Sequence, residues 1–62
     1  MISRIVLIEL VEAGTAISVP ELAERTLLSE GSVEAALERL TEIDVCKMVP
    51  GDDRRPPKYR TV

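Results

Sequence analysis

Apolar and polar positions along this 62-residue chain follow two different periods, helical at first and strand-like near the end. Val6, Leu7, Leu10 and Val11 fall at i, i+1, i+4 and i+5, the spacing of one buried helical stripe, and Gly14 supplies a stop. A first helix over residues 2–13 is predicted. The run Ile5-Val6-Leu7-Ile8 also fits a buried strand, because a short apolar run does not separate the two states by period alone. With the stripe turned to a core, Ile5 and Ile8 are left on the opposite side of the helix at i, i+3.

Ser18-Val19-Pro20-Glu21 matches a capping box, in which the serine hydroxyl accepts from the backbone N–H three residues on and Glu21 reaches back to the Ser18 N–H. Pro20 falls in the first turn, where its missing donor costs nothing. Ile17 and Leu22 occupy the two positions of a hydrophobic staple. A second helix is expected over about 19–27, and Thr15–Ile17 before it could add a short strand. The same grammar recurs at Ser29, an N-cap with Leu28 and Val33 as staple and Glu30 well placed against the helix dipole. Val33, Ala36, Leu37 and Leu40 at i, i+3, i+4, i+7 then predict a third helix over about 30–43, with Glu34, Glu38, Arg39 and Glu42 outside the stripe. Only Leu28 and Ser29 separate the second and third helices, so the chain must turn sharply between them, as in a helix-turn-helix.

After Asp44, which tolerates a left-handed helix terminus better than most residues, the period shortens. Val45–Val49 and Lys58–Val62 read as strands flanking the eight-residue loop 50–57. Eight residues exceed a tight hairpin turn, and three prolines stiffen the loop, so it should project. The predicted architecture is a single α+β domain over residues 1–62, a small winged helix-turn-helix of three helices plus a β-hairpin wing.

Composition narrows the chemistry. With no His and no Trp, one Cys and one Tyr, the chain lacks the convergent titratable groups of a catalytic pocket, so no catalytic residue is named and no cofactor is expected. Cys46 alone can form neither an internal disulfide nor a Cys/His metal site; in a strand it is expected to be a small buried apolar residue. No apolar run approaches the ~20 residues of a membrane span, and the start lacks the basic-then-apolar plan of a signal peptide. A reducing cytoplasm is the expected location, with no membrane partner.

Glu21-Leu22-Ala23-Glu24-Arg25, then Ser32-Val33 through Ala36-Leu37-Glu38-Arg39-Leu40, then Val49-Pro50-Gly51 with Arg55-Pro56-Pro57-Lys58-Tyr59-Arg60, resembles prokaryotic winged-helix transcription regulators. The likeness is greatest to the DNA-binding domain of archaeal TrmB-type regulators, with MarR- and ArsR-type domains as wider relatives. It implies a double-stranded DNA partner. The third helix would be the recognition helix, presenting Ser29, Glu30, Gly31, Ser32, Glu34, Ala35, Glu38 and Arg39 to the major groove. Arg54, Arg55, Lys58 and Arg60 would form the wing on the backbone. Ile5 and Ile8, two apolar residues on one face of so small a domain, suggest a homodimer interface, or contact with another protein.

Charge is divided along the chain. Residues 1–44 carry three basic and nine acidic residues, residues 45–62 five basic and two acidic, within an overall −3. The basic end is where a polyanion is welcome, although the same cluster also serves as a solvated loop. The third helix shows glutamates where regulators of this kind carry basic or neutral polar residues, and three glutamates entering a DNA groove are unfavourable unless the wing outweighs them. The same face therefore also reads as a solvated surface or as the contact of a winged-helix protein-interaction module that does not bind nucleic acid. Tyr59 is expected to pack its ring on the sheet rather than stack on a base.

Overall fold

A computed structural model describes residues 2–62 and shows the order helix, strand, helix, helix, strand, strand: α1 (Ile2–Ala13), β1 (Ile17–Ser18), α2 (Val19–Thr26), α3 (Glu30–Glu42), β2 (Cys46–Val49) and β3 (Lys58–Thr61). The strands form one antiparallel sheet in the order β1-β3-β2. This is the α+β, winged helix-turn-helix layout. The ambiguous run Ile5–Ile8 is helical, and the short first strand lies over Ile17–Ser18, later than the expected Thr15–Ile17.

The core is where three helices and one face of the sheet meet. Val6 and Leu10 of α1, Leu22 of α2, Val33, Leu37 and Leu40 of α3, Ile17 of β1 and Cys46 of β2 are all buried. Val11, expected in that core, is 61% exposed. The reason is angular: at 100° per residue the buried line of α1 runs through Val6, Leu10 and the half-buried Ala13, and Val11 stands 100° beyond Leu10. The exposed apolar residues of α1 are accordingly Ile2, Ile5, Ile8 and Val11, twice the number expected.

Termini explain how the elements are aimed. Gly14, at φ 67°, ends α1 in the left-handed conformation. The Ser29 hydroxyl oxygen accepts from the Ser32 N–H at 3.2 Å, as expected for the N-cap of α3. The capping box proposed for α2 is absent: Ser18 has the extended backbone of an N-cap, but its side chain makes no capping bond. There the start is held by the staple instead, with Ile17 and Leu22 both in the core, by Pro20, and by pairing of Ser18 with Lys58 in the sheet.

Helix α3 stops in a Schellman motif. The Val45 N–H donates to the Leu40 carbonyl at 3.0 Å and the Asp44 N–H to that of Thr41 at 3.1 Å, with Asp44 at φ 59°. The chain is thereby turned directly into β2. Its first residue, Cys46, packs back under α3, the thiol lying 3.6 Å from the Thr41 hydroxyl, whose own bond goes to the Leu37 carbonyl at 2.7 Å. Leu27, at the end of α2, has φ 60°, a conformation that costs a branched side chain energy and that no sequence signal marked.

Candidate nucleic-acid interface

Register decides where the cations go. In the β2–β3 pair Lys47 stands opposite Arg60 and Val49 opposite Lys58, while Cys46 pairs with Thr61 and Met48 with Tyr59. Because successive side chains alternate between faces, Cys46, Met48, Tyr59 and Thr61 lie on the helix side, and Lys47, Lys58 and Arg60 share the outer face. Tyr59 is half-buried against the core, as expected.

The loop between these strands is held by hydrogen bonds within itself. One carboxylate oxygen of Asp52 accepts from the N–H groups of both Arg54 and Arg55 at 2.9 Å, and the Asp52 carbonyl accepts from Arg55 at 3.3 Å. Gly51 lies so close to the far side of the loop that a Cβ there would collide with the carbonyl oxygens of Arg55 and Pro56. Arg54 and Arg55 are thus presented, fully in solvent, from a loop with few alternative conformations. Among the described residues the ion pairs are those of Arg25, with Glu21 at 2.9 Å and with Glu9 at 3.8 Å, so Lys47, Arg54, Arg55, Lys58 and Arg60 all keep unneutralised charges.

The exposed part of α3 is not one face but two flanks. Glu30, Glu34 and Glu38 follow one another at i, i+4, with Glu42 continuing the row, and border a cleft of about 720 Å³ between α3 and the wing. Ser32, Ala35 and Arg39 lie on the other flank, beside Ile2 and Ser3 at the start of α1. Gly31 is exposed at the crest. Ser29 and Ser32 are partly engaged with each other, the Ser29 hydroxyl donating to that of Ser32 at 2.9 Å. The structure therefore puts Lys58 and Arg60 on one face of the sheet and Arg54 and Arg55 on the exposed loop that adjoins it, and separates the residues assigned to α3 into an acidic flank beside the wing and a small, neutral-to-basic flank away from it.

Three contributors were not singled out in the sequence. Lys47 joins the cationic face, and Asp52 and Gly51 set the loop. A strand period places Lys47 on a face, but only the pairing register puts it across from Arg60. Asp52 followed by two residues whose N–H groups it can accept from is an Asx-turn signal that was available.

Among the described residues no group of three or more His, Cys, Asp or Glu is arranged to hold a metal ion, and no helix is long and apolar enough to cross a membrane. The chain matches no family model, no curated protein and no solved structure.

Proposed function

We propose that the chain is a small DNA-binding transcription regulator that works as a homodimer. The observation that carries this reading is the outer surface of the sheet and wing, where Lys47, Lys58 and Arg60 share one face and Arg54 and Arg55 stand exposed on the adjoining loop, none of them in an ion pair among the described residues. Such a surface attracts phosphates, and each engaged cation releases a counterion, which makes affinity fall with salt. In this arrangement α3 enters the major groove with Gly31, Ser32, Ala35 and Arg39 leading, while the cations grip the backbone beside it. A DNA target in a prokaryotic cell implies a cytoplasmic location. The exposed Ile5, Ile8 and Val11 of α1 would join two copies and so repeat the contact along the duplex.

The test is binding to random-sequence duplex across a salt series. Five phosphate contacts per subunit correspond to a log–log slope of up to about −4.5 for one subunit and about −9 for the dimer, and partial engagement gives less. Replacing both Arg54 and Arg55 with Ala should flatten the slope and weaken random and specific duplex alike, because phosphate contacts carry no sequence information. Absence of salt-dependent binding by the parent chain overturns the reading.

A second reading, a winged-helix protein-interaction module without nucleic-acid binding, is favoured by one observation: the carboxylate row of α3 lies on the side nearest the wing, where a bound duplex would bring phosphates. Glu34→Ala and Glu38→Ala separate the two. On the DNA reading each strengthens binding to random duplex by removing repulsion; on the interaction reading neither changes it.

A further inference from the structure

The cleft between α3 and the wing has an apolar floor and a charged wall. Met48 and Tyr59, cross-strand neighbours on the inner face of β2 and β3, meet Pro20 at the start of α2 and Pro56 and Pro57 from the loop. Met48 remains 48% exposed there. The wall is the row Glu30, Glu34, Glu38 and Glu42. Like charges at i, i+4 destabilise a helix, and among the described residues no cation pairs with any of the four. A cationic occupant would remove that repulsion while covering the floor.

Spacing selects the occupant. The row advances four residues at a time, about 6 Å along the axis, and spans about 18 Å in all. A helix crossing α3 with Lys or Arg at every fourth position matches the step of about 6 Å, and because the row also turns about 40° per step, its central cations meet Glu34 and Glu38 while the flanking ones reach toward Glu30 and Glu42. Its neighbouring apolar stripe would rest on Met48, Tyr59 and the prolines, and methionine adapts readily to such a surface. The long stems of Lys and Arg can lie along the apolar border while their charged ends reach the carboxylates. A second copy of this chain does not supply such a segment, since its cations outside the helices lie on strands and a loop. A duplex brings phosphates, which the wall repels.

We propose that the cleft between α3 and the wing is a docking groove for a basic amphipathic helix of a partner protein, about three turns long. The proposal rests on the interaction-module reading of α3 and not on DNA binding, since the groove lies on the side of α3 nearest the wing, where a duplex would bring phosphates.

The test uses the whole chain and a fluorescein-labelled peptide of about 14 residues, with Lys at every fourth position, Leu in the adjacent stripe and Ala elsewhere. A peptide of the same composition in shuffled order is the control. Fluorescence anisotropy should show saturable binding of one peptide per chain, about tenfold or more tighter than the control. Glu34→Gln combined with Glu38→Gln, and separately Met48→Ser, should each weaken binding about tenfold, with circular dichroism unchanged because all three side chains are exposed. Arg54→Ala combined with Arg55→Ala should leave peptide affinity intact while lowering duplex affinity. Equal binding of the shuffled peptide, retained affinity in the folded glutamine variant, or no saturable binding at all overturns the proposal. None of these outcomes bears on the duplex titration.

Discussion

Lys47 and Arg60 stand directly across from each other in the antiparallel β2–β3 pair, two cations on the outer face of a three-stranded sheet. Directly opposed like charges destabilise a strand pair, and neither side chain has an ion-pair partner among the described residues. Lys58 on the same face and Arg54 and Arg55 on the loop add to the repulsion. A phosphate backbone laid across this face would relieve it. Lys47→Glu should therefore separate stability from binding. Chemical denaturation at low salt should show a gain of about 0.2–1 kcal/mol from the new Glu–Arg pair, while affinity for random duplex falls. A variant that gains stability without losing duplex affinity would detach Lys47 from the proposed interface.

Leu37 is completely buried at the junction of the three helices and β2. Leu37→Ala should cost about 2–5 kcal/mol through lost burial and the cavity left behind. For a 62-residue domain, whose total stability is about 3–9 kcal/mol, that removes a large share of it. Far-ultraviolet circular dichroism across a urea titration measures the loss, and a cost below about 1 kcal/mol would contradict the packing described.

Leu27 presents the opposite case, since its side chain is 91% exposed and contributes little burial, while its backbone sits at φ 60°. That conformation costs a non-glycine residue about 1–2 kcal/mol. Leu27→Gly relieves the strain but adds freedom to the unfolded chain, which returns about 0.5–1 kcal/mol of the gain. A net stabilisation of between zero and about 1.5 kcal/mol is expected, seen as a rise in Tm by calorimetry. A decrease would mean that the exposed leucine is supported by contacts that its position does not suggest.

Ile8 lies in the middle of the exposed row Ile5, Ile8 and Val11 on α1. If this row joins two copies, the parent chain is a dimer by light scattering at micromolar concentration. Ile8→Glu should then give a folded monomer, because the charge offends only the partner and not the core. A parent chain that stays monomeric at high micromolar concentration removes the dimer from the proposal.

Local signals in the sequence were sufficient for the three helices, most of the core, the Ser29 cap and the two C-terminal strands, because each depends on contacts a few residues apart or on a period along one element. The left-handed Asp44 was legible in the same way. Even locally the grammar had a limit: Ser18 and Glu21 have the spacing of a capping box, yet the helix start is carried by Ile17, Leu22 and sheet pairing, none of which a four-residue motif contains. The fate of Val11, the pairing of Lys47 with Arg60 and the division of α3 into two flanks were decided only by tertiary structure. A period states which side of its own axis a residue occupies; it does not state what faces that side. The charge division written along the chain thus became a division in space, acidic groove against cationic sheet, through strand register and the angle at which α3 meets the wing, neither of which is a property of any single segment.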